Sequence, residues 1–209
     1  MQVTFLLGLL VLFFKEKNMK FIKKIIAKFI LWVWGWKIVL EGPASNLDRC
    51  VLVVAPHTAN DEYILGNLAY WVLDKKLKII IKDAHTKAWY GFIVKALGGV
   101  GIDRSQRNDL VNFVKNEFAK DDFSLVITPE GTRSLVNKWR KGFYHMAKES
   151  NVPIVVAAGD FKTKSIHLGK QISVEDIQTR SYESIMEELQ EYYKKITPKY
   201  PEKWNPKIY

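Results

Sequence analysis

The chain has 209 residues, 48% hydrophobic and 26% charged, which are the length and composition of a globular protein with a full buried core. Its net charge is +10, and half of that excess lies in residues 1–41, where seven lysines stand against two glutamates. The single cysteine, Cys50, excludes an internal disulfide and a cysteine-based metal site, which fits a reducing compartment. The four histidines lack the spacing of a zinc site, so no metal is expected.

Residues 1–42 are predicted to form a basic amphipathic helical arm that associates with a membrane and ends at Gly42-Pro43. From Met19 to Val33, apolar side chains recur every three or four residues, with lysines on the opposite side and tryptophans near the end. Such a helix lies in a membrane surface with its lysines toward the head groups. We therefore expect a peripheral or monotopic protein on the cytoplasmic face of an anionic membrane. The alternative is a helix that covers the core and exposes its lysines to solvent.

Residues 1–14 form an apolar run that is shorter than the ~20 residues needed to span a bilayer. The run also lacks the basic start and the small-residue cleavage site of a signal peptide. A polar stretch separates it from Met19, so the sequence leaves open whether translation starts at Met1 or at Met19. Because the lysines of the arm alternate with large apolar residues, lipid rather than nucleic acid is the expected partner of this basic end.

Residues 43–209 are predicted to form one domain in which strands and helices alternate. The predicted strands are 50–55, 78–82, 100–102, 123–128, 153–158 and 164–168, and the predicted helices are 62–73, 89–97, 109–119, 142–149 and 181–195. This alternation predicts an α/β fold with a mostly parallel central sheet flanked by helices. The tail from Thr197 carries three prolines and is expected to wrap the surface.

A first candidate site follows the predicted strand 50–55 and contains His57 with two acids, Asp61 and Glu62. A histidine there can accept the proton of a substrate hydroxyl if a carboxylate holds its other ring nitrogen. On a continuous helix Asp61 would lie ~40° around the axis from His57 and Glu62 ~140°, which favours Asp61. If residues 57–60 form a loop, Glu62 reaches the imidazole instead. The alternative is a histidine that only caps the following helix.

A second candidate site is suited to an anion and combines two segments. Arg104 follows the short predicted strand 100–102, where a guanidinium can clamp a phosphate. Gly131, Thr132 and Arg133 follow another strand and offer close backbone approach and hydrogen-bond donors, while Glu130 can hold an arginine in place. The alternatives are a surface Asp–Arg pair and an ordinary turn. The basic aromatic patch at 138–141 suits a phosphate, a bilayer or plain solvent.

Four sequence blocks, in this order, resemble the glycerolipid acyltransferase family, whose type activity is the acylation of lysophosphatidic acid. That family carries a His followed after four residues by Asp, then a Gly…Ile-Asp-Arg segment, a Pro-Glu-Gly-Thr-Arg segment and a Val-Pro-Ile strand. The similar blocks here are His57 with Glu62, Gly98 to Arg104, Pro129 to Arg133, and Val152 to Ile154. Two positions differ: Glu62 replaces the Asp, with Asp61 beside it, and Gly101 stands where the family often has Phe.

The resemblance implies an enzyme that esterifies 1-acyl-sn-glycerol 3-phosphate from acyl-CoA or acyl-carrier protein, without a metal, a cofactor or a covalent intermediate. His57 would be the general base, oriented by Glu62 or Asp61. The acceptor phosphate would be held by Arg104, Arg133 and the segment Glu130–Thr132. The implied partners are a membrane lipid substrate, an anionic membrane surface and acyl-carrier protein, and no nucleic acid. Two alternatives remain: another lysolipid acceptor, such as an amino-acid-linked acyl lipid, and a non-catalytic lipid-binding protein.

Overall fold

A computed structural model of the chain describes residues 2–102 and 110–209, with residues 2–17 described through their backbone alone. Seven strands form one sheet in the order β1-β7-β6-β2-β5-β3-β4. The strands are β1 Lys37–Leu40, β2 Cys50–Val54, β3 Leu77–Lys82, β4 Gly99–Ile102, β5 Ser124–Ile127, β6 Ile154–Asp160 and β7 Ser165–Ile172. All neighbouring strands are parallel except β6 and β7, which are antiparallel. The predicted α/β fold with a mostly parallel sheet is therefore confirmed.

Helices cover both faces of this sheet. They are α1 Gln2–Trp34, α2 Asp61–Leu73, α3 Asp83–Lys87, α4 Gly91–Ala96, α5 Leu110–Lys120, α6 Gly142–Ser150, α7 Val174–Thr179 and α8 Tyr182–Tyr193. Short 3-10 turns lie at Ala44–Leu47 and Pro201–Lys203. Every helix and strand predicted in residues 43–209 has a counterpart within a few residues, whereas α3 and α7 were not predicted.

The central strands form two cores because successive side chains point to opposite faces of the sheet. Val51 and Val53 of β2 pack on one face with residues of α5, α6 and α8. Cys50 and Leu52 pack on the other face with residues of α1 and α2. Such continuous apolar runs are typical of strands that are buried on both sides. The sheet therefore holds the loops that follow its strands on a rigid support.

Helix α1 packs along α2 with its lysine-bearing side. Lys20 lies 3.6 Å from Asp74, the ammonium of Lys23 lies 5.4 Å from the ring centre of Trp71, and Ala27 is fully buried. The opposite side of the helix is apolar and exposed: Phe21, Ile22, Ile25, Ile26, Phe29, Trp32 and Val33. The predicted helix is thus present, and its lysines serve partly as contacts to the domain.

Residues 37–40, which the sequence analysis included in the arm, form edge strand β1 of the sheet. This strand pairs in parallel with β7, where Lys37 faces Ser165 and Leu40 faces Leu168. The pairing partner lies far along the chain, so no local pattern indicated it. No helix in the described part of the chain combines the length and apolar character needed to cross a bilayer.

Candidate active site

His57 lies just past the carboxyl end of β2, near the middle of the sheet. Residues that follow parallel strands meet at one edge of the sheet, where α/β proteins build their sites. Residues 55–60 are non-helical, and α2 begins only at Asp61. Because His57 is on a loop, the helical geometry that favoured Asp61 as its partner does not apply.

The imidazole of His57 is paired with Glu62. Nδ1 of His57 lies 2.7 Å from Oε2 of Glu62. The other oxygen, Oε1, accepts the backbone N–H of Thr58 at 2.9 Å and of Ala59 at 3.0 Å, and the Thr58 hydroxyl at 3.1 Å. Glu62 is buried in the first turn of α2, where the helix dipole favours a negative charge. These contacts fix the ring and leave Nε2 for a substrate proton.

Asp61, the second predicted acid, is engaged by the C-terminal tail. Its carboxylate pairs with Nζ of Lys199, and this contact raises the pKa of the lysine. Tyr200 donates its backbone N–H to the hydroxyl of Thr58 at 3.4 Å. The tail therefore contacts the loop of His57 at two neighbouring positions, a role that its sequence did not indicate beyond wrapping the surface.

Glu130 supports His57 through the backbone. Both of its carboxylate oxygens accept the N–H of His57 at 3.1 Å. Glu130 is only 5% exposed. This burial, together with the nearby charge of Glu62, raises the pKa of Glu130 to about 7. The sequence analysis placed Glu130 with the phosphate-binding residues. In the structure its carboxylate is used to hold the His57 loop.

Arg133 reaches the same loop from the neighbouring strand. Its Nη1 donates a hydrogen bond to Oδ1 of Asn60, three residues from His57. The contact follows from the sheet, because β5 pairs in parallel with β2 and the two strands end side by side. An exposed guanidinium is thereby held on the loop that carries His57, where it can meet an anionic substrate group.

The turn after β5 brings a further arginine to this edge. Gly131 has a φ of +69°, which favours glycine, and a Cβ there would lie 2.9 Å from Cζ of Arg140. The backbone N–H of Arg140 also donates to the carbonyl of Pro129 at 2.9 Å. Thr132 is exposed on the same turn, and its hydroxyl accepts the N–H of Ser134 at 3.3 Å. Arg140 of the basic aromatic patch is thus a neighbour of the predicted anion site.

Arg104, the other predicted phosphate ligand, lies outside the described residues, as does Asp103. A position of Arg104 beside His57 therefore stays a prediction. No cluster of histidine, cysteine, aspartate and glutamate that is fit to hold a metal ion occurs among the residues with described placement. Cys50 is fully buried, and burial raises the pKa of its thiol to about 12, so that it is not a nucleophile at neutral pH.

A largely apolar cavity of about 350 Å³ begins at His57 and Glu62 and runs between α2 and the sheet. Its walls include Leu52, Leu65, Ile79, Val94, Val126 and Leu168. It extends to Tyr70 and Leu77, at the opposite end of α2 and of the strands from His57. The sequence offered no signal for this cavity, because its walls come from eight helices and strands that only the fold brings together.

The acyltransferase family model matches residues 37–158, more than half of the chain. A 1-acyl-sn-glycerol-3-phosphate acyltransferase of Cocos nucifera is 26% identical over 140 residues, which are 63% of this chain and 44% of that protein. A probable 1-acyl-sn-glycerol-3-phosphate acyltransferase of Mycoplasma pneumoniae is 26% identical over 147 residues, 67% of this chain and 55% of that protein. The chain thus spans about half the length of the curated relatives it matches.

A solved structure has a similar fold. It is the 1-acyl-sn-glycerophosphate acyltransferase PlsC of Thermotoga maritima, with a TM-score of 0.56 and 16% identity. The match covers 85% of this chain and 78% of that one. The resemblance of the sequence blocks is therefore confirmed by the match to the family model, and the fold agrees with it. The chain belongs to the acyltransferase family.

Proposed function

We propose that the protein transfers an acyl group from an acyl-CoA or acyl-carrier-protein thioester to the free hydroxyl of 1-acyl-sn-glycerol 3-phosphate. The observation that carries this proposal is the His57–Glu62 pair at the mouth of an apolar cavity. Arg133 is hydrogen-bonded to Asn60, three residues along the chain from His57. The names of the relatives agree with this substrate. A base, an apolar cavity and a cation next to one another suit an acceptor with an acyl chain, a hydroxyl and a phosphate.

The reaction needs one proton transfer to His57 and one from it. Nδ1–H of His57 donates to Glu62, which orients the ring and places the lone pair of the neutral imidazole on Nε2. Nε2 accepts the proton of the acceptor hydroxyl as its oxygen attacks the thioester carbonyl. The carbon–sulfur bond then breaks, and the thiolate that leaves takes the proton from Nε2. The imidazolium that exists between the two steps is stabilised by the buried carboxylate of Glu62.

The acceptor phosphate would be held by Arg133, with Arg140 beside the same turn and with Arg104 as the further predicted ligand. A guanidinium binds phosphate through two parallel hydrogen bonds, which fixes orientation as well as charge. Thr132 adds an exposed hydroxyl to this turn. The apolar cavity would bind the acyl chain and the arginines would bind the phosphate, so that an amphipathic substrate is oriented with its hydroxyl at His57.

The exposed apolar side of α1 would bring this site to its substrate. Phe21, Phe29 and Trp32 are 64%, 61% and 76% exposed, and such a stripe is costly in water. Buried in the head-group region of an anionic membrane, the same stripe would attach the protein to the surface that contains acceptor and product. The proposed location is peripheral or monotopic, on the cytoplasmic face.

A turnover assay with the purified full chain tests this proposal. The acceptors are lysophosphatidate, a lysophospholipid with a choline head group and an amino-acid-linked lysolipid, each with acyl-CoA and with acyl-carrier protein. The expected result is phosphatidic acid as the main product, detected by mass spectrometry. Preference for either other acceptor would assign a different lysolipid substrate. Absence of product with every pair, beside an active control enzyme, would favour a non-catalytic lipid-binding protein.

A further inference from the structure

The segment between β3 and β4 exposes large apolar side chains among the described residues. Trp89 is 87% exposed, Phe92 69% and Ile93 47%. Their spacing of three and four residues places them on one side of α4 and the turn before it. Monomeric proteins in water rarely expose such clusters unless the cluster meets a partner or a membrane. We name this surface the α4 face.

The α4 face is held in place by a tight connection. Gly91 is buried, and a Cβ there would lie 2.2 Å from the carbonyl oxygen of Thr86 in α3. Its N–H donates to the carbonyl of Ala88 at 2.8 Å. The hydroxyl of Tyr63, in α2, donates to the carbonyl of Leu97 at 3.3 Å. The exposed rings are therefore presented on a segment that is tied to α2 and α3.

The α4 face lies on the same face of the sheet as α1, with α2 beside both. Lys20 and Lys23 of α1, Trp71 of α2 and Lys95 of α4 line one shared groove, so the three helices lie side by side on the same face of the sheet. Tyr63 and Ile64 of α2 are also exposed. Apolar side chains are therefore presented by all three neighbouring helices.

Charge selects the partner of this surface. Lys95 and Lys87 border the α4 face at its two ends, and Lys87 also pairs with Asp83. In the groove beside it, Lys20 pairs with Asp74 and Lys23 lies over the ring of Trp71. Four lysines thus stand against two acids, which leaves this surface with a net positive charge. Aromatic rings with flanking lysines match a bilayer, in which the rings enter the interfacial region and the ammonium groups meet anionic head groups.

The cavity of His57 reaches the surface beside the α4 face. Tyr63, Gly66 and Asn67 of α2 line one side of it, and Val94 of α4 lines the other. Tyr63 is exposed, Gly66 and Val94 are half-buried, and Asn67 is buried. A Cβ at Gly66 would meet no atom within 4 Å, so the wall of α2 is open at this point.

We propose that the α4 face inserts into the bilayer as a second membrane contact beside α1, so that the opening of the cavity between α2 and α4 faces lipid. The acceptor then moves sideways from the bilayer to His57 without crossing water. The inference rests on the proposed function for the identity of the acceptor. The insertion of the α4 face is a separate physical claim that is measured without turnover.

Site-specific fluorescence tests the insertion. The full chain with Phe92→Cys is labelled with an environment-sensitive dye, and Glu183→Cys on α8, across the sheet, is the matched control. Cys50 is buried with a raised pKa, so it does not compete for the label. With vesicles of phosphatidylcholine and phosphatidylglycerol, the dye at 92 is expected to shift to the blue and to resist aqueous iodide, whereas the dye at 183 remains quenchable.

Three results would overturn the proposal. The first is a dye at 92 that stays accessible to iodide while the protein floats with the vesicles. The second is a protein that does not bind these vesicles at all. The third is a blue shift that needs no lipid and grows with protein concentration, which would assign the α4 face to contact between two copies of the chain.

A kinetic arm separates this claim from the proposed function. For Trp89→Ser/Phe92→Ser, KM for acceptor presented in vesicles is expected to rise by about tenfold or more, because burying aromatic rings contributes at least that factor. Turnover of a short-chain acceptor that is soluble as a monomer should be unchanged. Tyr209→Ser, an exposed ring near α8, is the matched control. An equal loss with both acceptors would contradict the proposal while leaving the acyltransferase function intact.

Discussion

Two adjacent carboxylates near His57 have different environments. Glu62 is buried and contacts the imidazole and the backbone of Thr58 and Ala59, whereas Asp61 faces Lys199 at the surface. A carboxylate one methylene longer than the Asp of the family reaches the ring because residues 57–60 form a loop. The extra methylene therefore preserves the pairing, and Asp61 is not needed for it.

The two acids should differ sharply when neutralised. Glu62→Gln removes the charge that orients and stabilises His57, and kcat/KM should fall by roughly 10²-fold or more, as for other groups that support a general base. Asp61→Asn loses only a half-exposed ion pair, worth about 0–1 kcal/mol, and should retain most of its activity. Steady-state kinetics of both variants at one pH decides this, and a larger loss in Asp61→Asn would reverse the assignment.

Glu130 predicts an unusual pH dependence of stability. Its pKa is raised from 4.5 to about 7 by burial. Between these values the folded state keeps a proton that the unfolded state has lost, so stability falls as pH rises through this window. The loss has an upper limit of roughly 3 kcal/mol. Glu130→Gln has no such loss, so its stability relative to the unmodified chain should improve from pH 5 to pH 8.

Urea unfolding of the two proteins across that pH range measures the effect. Glu117→Gln is the control, because hydrogen bonds from Lys120 and Lys78 lower the pKa of Glu117 below 4.5. The stabilising effect of that charge is complete above pH 4.5, so this variant should be less stable than the unmodified chain by an amount that stays constant from pH 5 to pH 8. Parallel curves for Glu130→Gln and the unmodified chain would show that Glu130 is not protonated at neutral pH.

Among the elements, the C-terminal tail has the least expected role. Thr197 accepts the N–H of Phe161 at 2.9 Å, Lys199 and Tyr200 contact the His57 loop, and Ile208 is buried in the core. The tail thus connects the hydrophobic core to residues 58–61. Thr58 is the link, because it accepts from Tyr200 and donates to Glu62.

Removal of the lysine in this tail should change stability only slightly. Lys199→Gln loses the half-exposed ion pair with Asp61, so the free energy of unfolding, measured with urea, should fall by less than about 1 kcal/mol. Lys203→Gln, which removes a lysine stacked on Tyr200, is the control. A larger loss in Lys199→Gln than in this control would show that the contact with Asp61 holds the tail in place.

Most of the fold could be predicted, because most of its strands and helices have a local sequence pattern. Hydrophobic runs such as Val51–Val54 predict buried parallel strands, and alternation with helices predicts α/β layering. Strand β1 was not predictable, because four residues become a strand only by pairing with β7. Helix α7 did carry a local signal, the capping box of Ser173 and Asp176, which the hydrophobic pattern alone overlooked.

The sequence offered candidate site residues but not their geometry. His57 and Arg133 reach the same loop because β2 and β5 end side by side, a pairing that the alternation of strands and helices does not specify. The choice between Asp61 and Glu62 and the use of Glu130 against the backbone depend on the shape of the loop. The contact of Lys199 with Asp61 depends on a tail 138 residues away in sequence. Such contacts have no short-range signature.

The most direct test of the proposed mechanism is the rate of phosphatidic acid formation by the full chain with His57→Ala. Loss of the general base should lower kcat/KM for lysophosphatidate by roughly 10²–10⁴-fold, with an unchanged unfolding midpoint. His145→Ala, which changes an exposed histidine on α6, should behave like the unmodified protein. If His57→Ala retained full turnover while folded, acyl transfer would not depend on this imidazole and the proposed mechanism would be wrong.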